Sequence, residues 1–205
     1  DGELDNGKQH GQLVIRPDVG LTAVLLARAV ERQPGLDQRL KSGAVIVVRL
    51  DSDAQSGCVR TILSKCAIGK KATENISYIG NQASNFYLIE GEKSDRNLVR
   101  TSDLSLALSQ GVTIIGLVDP KNTTLPQLLL DCAECELVLD KPDPAAITLA
   151  LSYATEWTFI PDLAPETAEL VTPTDLVASV RPNWSHEDAI NHIRKMVSQR
   201  AKDGT

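Results

Sequence analysis

Acidic side chains follow two of the apolar runs in this sequence. Asp51 and Asp53 come directly after the run at residues 44–50, and Asp119 follows the run at 112–118. Carboxylate oxygens are the ligands that hard cations prefer, and a bound Mg²⁺ can hold a phosphate group. If the two runs are strands of one sheet, the sequence predicts an Mg²⁺ site at Asp51, Asp53 and Asp119. The alternative is that acids favour polar loops and helix N-termini, where they complement the helix dipole.

The segment after the first run offers a second kind of site. Ser52, Ser56 and Gly57 lie where an apolar strand is expected to pass into a helix. Backbone amides at the start of a helix attract anions, so this loop would floor the cleft of a domain that senses a nucleotide or another small molecule. The candidate ligand-binding residues are therefore Asp51, Ser52, Asp53, Ser56, Gly57 and Asp119.

A resemblance to a known enzyme family begins at the same acids. Residues 47–57 have an apolar strand followed by D-x-D, in the sequence VVRLDSDAQSG, which resembles the first motif of the haloacid-dehalogenase-type phosphatases. The resemblance implies that Asp51 is the nucleophile and Asp53 the acid/base of a metal-dependent phosphohydrolase. The chain departs from the family at Ala54 and Gln55, where Gly-Thr is usual, and no later Asp-Asp pair follows a predicted strand. The phosphohydrolase is therefore kept as an alternative function.

Other catalytic motifs are incomplete. The GKK sequence at residues 69–71 lacks the earlier Gly of a Walker loop, since Ser64 stands there, and no G-x-G-x-x-G follows a predicted strand. His10, His186 and His192 fall outside the predicted α/β core and beside no Ser or Cys nucleophile. A hydrolytic triad is therefore not predicted, and no catalytic residue is assigned.

The four cysteines are Cys58, Cys66, Cys132 and Cys135. The C-x2-C pair at Cys132 and Cys135 is a spacing found in zinc and redox sites. Structural zinc sites normally combine two such close pairs, whereas Cys58 and Cys66 are eight residues apart in a predicted helix. We therefore predict no metal ligands here and expect small buried apolar side chains in a reducing compartment.

The composition favours a globular protein and argues against two classes of partner. The 205 residues are 42% hydrophobic but only 3% aromatic, so the core must be built from Leu, Val, Ile and Ala. A net charge of -6 without a basic cluster argues against nucleic-acid binding. No apolar run reaches the roughly 20 residues that cross a bilayer, and no signal segment opens the chain, so we expect a cytoplasmic protein with no membrane partner.

Apolar runs and helical patterns alternate along the chain. Short runs rich in Val and Ile predict buried strands at 44–50, 86–89, 112–118 and 136–139, with a weaker edge strand at 76–79. The segments between and after them carry helical spacing, and Asp143, Thr172 and Ser185 are predicted to cap the helices that follow them. This alternation predicts an α/β fold, a parallel, doubly wound, Rossmann- or flavodoxin-like three-layer sandwich, whose ligands would lie beyond the carboxyl ends of the strands.

Composition divides the chain into four parts: a flexible leader or tag remnant at 1–12, the α/β domain at 13–155, a linker or an extended segment that packs back on the sheet at 156–171, and a small C-terminal helical appendage at 172–205. The last helix of the appendage has one apolar stripe, which must pack on something. The candidate partner-binding residues are therefore Ile190, Ile193, Met196 and Val197.

Two segments resemble the region that precedes the ATPase core in certain bacterial AAA+ ATPases. They are residues 104–151, LSLALSQGVTIIGLVDPKNTTLPQLLLDCAECELVLDKPDPAAITLAL, and residues 172–196, TPTDLVASVRPNWSHEDAINHIRKM. The resemblance implies a non-catalytic N-terminal domain that recruits a protein substrate, an adaptor or neighbouring subunits. It places ATP binding in a core outside this chain, implies homo-oligomers through the parent ring, and requires no cofactor here.

Overall fold

The fold is given by a computed structural model, which describes residues 15–63, 86–93 and 101–204. The strands are β1 (Val45–Arg49), β2 (Phe86–Glu90), β3 (Thr113–Val118) and β4 (Cys135–Val138). The helices are α1 (Pro17–Glu31), α2 (Leu36–Ser42), α3 (Asp53–Leu63), α4 (Thr101–Ser109), α5 (Gln127–Cys132), α6 (Pro144–Ala154), α7 (Pro165–Ala168), α8 (Pro173–Ser179) and α9 (His186–Asp203). The predicted leader at 1–12, the predicted strand at 76–79 and Cys66 lie outside the described residues.

The strands of the described ranges form one parallel sheet in the order β2-β3-β1-β4. Side chains alternate between the two faces of a strand, and β1 is apolar on both: Val45 and Val47 join one core cluster, and Ile46 and Val48 join another. A strand of this kind must be covered on both faces. The predicted mixed α/β fold with parallel strands is therefore confirmed.

Helices pack on both faces of the sheet. α1, α3 and α6 contribute to the cluster that contains Val48, whereas α4 and α5 contribute to the cluster that contains Val47. α1 is almost entirely buried because α3, α6 and α8 all pack against it. Gly20 allows the close approach of α6, since a β-carbon at that position would lie 3.2 Å from the carbonyl oxygen of Ala150.

Side-chain caps start three of the helices at the predicted positions. Asp143 precedes α6, Thr172 precedes α8 and Ser185 precedes α9, and each side chain accepts a hydrogen bond from a backbone N–H in the first turn. The backbone N–H groups of the first turn have no acceptor within the helix, so the capping side chains fix where each helix begins. The caps in turn position the loops that join the helices to the sheet.

The C-terminal helices extend the same core as the sheet. Leu163, Ala168 and Val171 from the predicted linker, and Leu176 and Ile193 beyond it, are buried in the cluster that contains Val48. The predicted linker also contains α7, and α8 packs against α1. A separate appendage joined by a linker is therefore not confirmed. The alternative for residues 156–171, an extended segment that packs back on the sheet, agrees with these buried side chains.

No helix within the described ranges combines the length and the apolar character that crossing a bilayer requires.

Candidate functional site

A crevice is expected at one point along the carboxyl edge of the sheet. β1 and β3 are neighbours, but the helices that follow them, α3 and α5, contribute to core clusters on opposite faces. In open α/β sheets, ligands bind where the connections of adjacent strands diverge in this way. The loops that follow β1 and β3 carry Asp51, Ser52, Asp53 and Asp119, so the structure places these predicted residues along one edge of the sheet.

An ion pair joins the two loops across this crevice. Lys121 Nζ lies 2.5 Å from Asp53 Oδ2, and both side chains are exposed. The Lys121 ammonium lowers the pKa of the Asp53 carboxyl below its ordinary value, and the carboxylate raises the pKa of Lys121. Asp53 therefore already has a cationic partner from within the chain. Sequence reasoning missed Lys121 because a single lysine in a polar loop carries no motif.

The start of α3 is also satisfied by the chain itself. Gln55 is 4% exposed, and its Oε1 accepts a hydrogen bond from the Asp51 backbone N–H at 2.7 Å. The Gln55 backbone N–H donates to the Ser52 carbonyl oxygen at 3.2 Å. Asp53 places a negative charge in the first turn, where a bound anion would otherwise complement the dipole. This helix start therefore offers a poor cradle for phosphate.

Asp119 has a structural role in its own turn. Its Oδ1 accepts from the backbone N–H groups of Lys121 and Asn122 at 2.8 and 3.0 Å, and its Oδ2 accepts from Asn122 Nδ2 at 3.0 Å. Aspartate commonly stabilises a turn in this manner. The observation favours the alternative that acids in these loops serve the local fold.

The remaining predicted ligand residues lie further along α3. Ser56 Oγ donates to Glu90 Oε1 at 2.8 Å, and Arg60 lies 2.5 Å from the same oxygen. Arg60, followed by Ser56, lowers the pKa of Glu90. Gly57 is exposed, and an added β-carbon would meet nothing within 4 Å. Ser56 therefore ties α3 to the end of β2, and Gly57 makes no close approach that would explain a glycine.

The three aspartates do not form a metal shell in the described part of the chain. No three His, Cys, Asp or Glu side chains among residues 15–63, 86–93 and 101–204 are grouped so that they could hold a metal ion. Asp53 instead contacts Lys121, and Asp119 contacts its own turn. The Mg²⁺ site at Asp51, Asp53 and Asp119 stays a prediction without geometric support.

The cysteines are divided among different parts of the core. Cys58 is buried, and burial raises the pKa of its thiol to about 11. Cys132 packs against the cluster that contains Val47, whereas Cys135 packs against the cluster that contains Val48. The C-x2-C pair is therefore split between the two faces of the sheet, which does not favour shared metal or redox chemistry.

One serine and one histidine do meet, contrary to expectation. Ser179 Oγ lies 2.9 Å from His192 Nδ1, where α8 packs on α9. Ser179 is fully buried, so a substrate cannot reach its hydroxyl. The contact joins two helices and does not form a nucleophilic site. The sequence could not show it because the two residues come together only through packing.

The predicted partner-binding stripe is used within the chain. Ile190, Ile193 and Val197 are buried in the main core cluster, and the sulfur of half-buried Met196 lies 3.6 Å from Ser179 Oγ. These side chains are therefore not available to a partner in this conformation. The helical spacing correctly predicted that the stripe packs on something, but spacing alone does not identify the surface that receives it.

A cavity of about 410 Å³ lies on the other side of the Asp51–Gln55 loop. Its walls also include residues 140–142 after β4, residues 169–174 from the end of α7 into the first turn of α8, and Arg200 of α9. Arg200 pairs with the buried Asp175 carboxylate and donates to the Leu170 carbonyl oxygen at 2.8 Å. The sequence did not indicate this cavity, because its walls come from segments that are distant along the chain.

The fold and this edge of the sheet define a mixed α/β protein built on a parallel sheet. Comparisons with known proteins found no family model, no curated protein and no solved structure that matches the chain. The function of the chain must therefore be inferred from the geometry of the described residues.

Proposed function

We propose that the chain is a non-catalytic N-terminal domain of an AAA+ ATPase, which recruits a substrate, an adaptor or neighbouring subunits. The observation that carries the proposal is that polar side chains in the crevice between β1 and β3 already have partners within the chain. Asp53 is paired with Lys121, Asp119 holds its own turn, and Gln55 satisfies the start of α3. Asp53 and Asp119, two of the three carboxylates of the predicted Mg²⁺ site, are thus engaged in the fold.

The finer architecture in this proposal is a Rossmann- or flavodoxin-like three-layer sandwich. It is supported by α1, α3 and α6 on one face of the sheet and by α4 and α5 on the other. The proposed compartment is the cytoplasm, which agrees with the free thiols of Cys58, Cys132 and Cys135. A similar fold does not define a function, so the proposed function must be supported by the residues at the surface of the domain.

A surface suited to recruitment lies beside β4, one of the two edge strands of the described sheet. Val138 and Leu130 are 54% and 45% exposed, and α5, which carries Leu130, packs on the same face towards which Val138 points. Arg49 and Glu136 form an ion pair on that face, with Nε and Oε1 2.6 Å apart. We call these four residues the β4 surface. Apolar side chains flanked by charges are typical of transient protein interfaces.

The test uses the full-length ATPase that the proposal implies. Val138→Asp combined with Leu130→Asp places two carboxylates on the β4 surface, and we expect substrate-stimulated ATP hydrolysis to fall about tenfold while basal hydrolysis is unchanged. Leu149→Asp on α6, also an exposed apolar residue, is the matched control and should leave both rates intact. Retention of full stimulation in the double variant would contradict the proposal.

The phosphohydrolase and the nucleotide sensor have less support. Both require the β1–β3 crevice to accept phosphate, with or without Mg²⁺ at Asp51, Asp53 and Asp119. Calorimetric titration of the 205-residue chain with Mg²⁺ and nucleotides should give no binding heat. Binding that disappears in an Asp51→Asn/Asp119→Asn variant would replace recruitment with sensing or catalysis. Sensing of a different small molecule is the second candidate function, and the cavity beside α7 and α8 favours it.

A further inference from the structure

The cavity is assembled from segments that meet only in the folded chain. The loop after β1, the loop after β4 and residues 169–174 form its walls, and Leu21 and Leu25 of α1 line its inner side. Its volume of about 410 Å³ falls within the range of roughly 300–1,000 Å³ that is typical of small-molecule sites. The size therefore suits a compact ligand with an apolar part that contacts α1.

The charges of the lining favour a cation. The ionisable side chains are four acids and two bases: Asp51, Asp53, Asp140, Glu169, Lys141 and Arg200. Three of them are already paired, Asp53 with Lys121, Asp140 with Arg32 and Arg200 with Asp175. The carboxylates of Asp51 and Glu169 and the ammonium of Lys141 have no partner among the described residues. Two unpaired acids and one unpaired base leave the lining negative.

The same lining offers little to an anion. The Arg200 guanidinium is engaged by the Asp175 carboxylate and the Leu170 carbonyl oxygen. The Asp51 backbone N–H donates to Gln55 and is not free to bind a phosphate oxygen. An anionic ligand would therefore have to displace existing contacts, whereas a cation would meet two free carboxylates.

A largely buried amide adds a hydrogen-bond donor to the cavity lining. Gln55 is 4% exposed and lines the cavity, and its Oε1 is fixed by the Asp51 N–H. Its Nε2 has no hydrogen-bond partner, yet no fully buried side-chain nitrogen or oxygen in the described ranges is left without one. Nε2 is therefore reached by solvent, and an acceptor oxygen of a ligand in the cavity can replace water as its hydrogen-bond partner.

From these observations we infer that the cavity between the β1 and β4 loops and residues 169–174 binds a small organic cation. The ligand carries a guanidinium or primary amine for Asp51 and Glu169, a short apolar body for Leu21 and Leu25, and a carbonyl or hydroxyl oxygen for Gln55 Nε2. This site is separate from the β4 surface, and it does not depend on recruitment being the function.

A matched pair of probes tests the inference by calorimetry on the 205-residue chain. Nα-acetyl-L-argininamide has the cation, the apolar stem and acceptor oxygens, whereas Nα-acetyl-L-citrullinamide keeps the shape and replaces the guanidinium with a neutral urea. We expect the arginine compound to bind at least about tenfold more tightly, with an affinity that falls as salt is raised.

Variants then assign the contacts. Asp51→Asn and Glu169→Gln should each weaken binding of the arginine compound by about fivefold, the factor expected for one solvent-exposed ion pair. Gln55→Met, which removes the amide donor, should weaken both probes alike. Glu166→Gln alters an exposed acid of the neighbouring α7 outside the cavity lining and should change nothing. Thermal melting of each variant shows whether it is folded.

Three results would overturn the inference. Equal affinity for the two probes would mean that charge is not recognised. Tighter binding of Mg²⁺–ATP, lost in the Asp51→Asn variant, would make this an anion site. Absence of any binding at millimolar concentrations of the arginine compound would show that the cavity is not a site for this class. The Val138→Asp/Leu130→Asp variant should retain binding, so failure here and failure of recruitment are distinguishable.

Discussion

The two sides of the loop that follows β1 differ in how their charges are used. On the side facing β3, the Asp53 carboxylate meets Lys121, and Asp119 accepts hydrogen bonds from its own turn. On the side facing β4, Asp51 and Glu169 line a cavity without partners among the described residues. Both regions lie at the carboxyl edge of the same sheet. Position on the carboxyl edge therefore indicates where a ligand could bind, and side chains without a partner in the chain indicate which place is free to bind one.

The largest expected effect is a loss of stability when Asp175, the partner of Arg200 in the cavity lining, is changed. Asp175 is 1% exposed, completes the capping box of α8 and pairs with Arg200. Asp175→Asn should lower the free energy of unfolding by about 3 kcal/mol, because it weakens both the cap and a partly buried ion pair. Urea unfolding measures the loss. Asp162→Asn, at an exposed acid, should change stability by less than about 0.5 kcal/mol, and an equal loss there would remove the distinction.

An intermediate loss of stability is expected when Gln55, in the first turn of α3 between the two regions, is changed. Gln55 accepts from the Asp51 N–H and also lines the cavity. Gln55→Leu should destabilise the fold by about 1 kcal/mol, since the partly buried Asp51 N–H loses its hydrogen-bond acceptor. Chemical denaturation checks this value, with exposed Gln38→Leu on α2 as the control. A neutral result at Gln55 would mean that the loop does not need the amide.

The smallest effect concerns the pH dependence of the crevice. Lys121 lowers the pKa of Asp53, so this pair contributes stability at neutral pH that is lost as the pH falls through the lowered pKa of the folded state. Lys121→Met should raise the Asp53 pKa towards the ordinary carboxyl value. Carboxyl NMR titration gives the comparison, and Lys141→Met, which removes an unpaired lysine from the cavity lining, should leave Asp53 unaffected. A shift of the same size in both variants would contradict a specific pair.

Local signals predicted much of the fold. The run at 112–118 becomes β3 at Thr113–Val118, and the Asp143, Thr172 and Ser185 caps begin three helices at the expected places. These features depend on neighbours in the sequence. The short helix α2 was not predicted, and the structure shows that Gly35 and Gly43 bound it with φ values of 72° and 98°.

Features that depend on distant residues could not be predicted. The strand order follows from packing, and nothing near Asp53 in the sequence identifies Lys121 as its partner 68 residues away. The rule that ligands lie beyond the carboxyl ends of parallel strands directed attention to Asp51, Asp53 and Asp119, which the structure places along that edge of the sheet. Which of them are engaged and which are free depends on side chains from other segments. Residues 169–171 of the cavity wall belong to the segment predicted as a linker or as an extended segment that packs back on the sheet, and neither interpretation indicates a cavity.

Arg200 links the cavity to the last helix. Its guanidinium belongs to the cavity lining, and it also ties α9 to Asp175 of α8. A molecule that binds only while this contact is intact stabilises the docked position of α9, and undocking of α9 must weaken that molecule by the same factor. The position of α9 and the occupancy of the cavity are in this sense reciprocal, so either one can be measured as a report on the other.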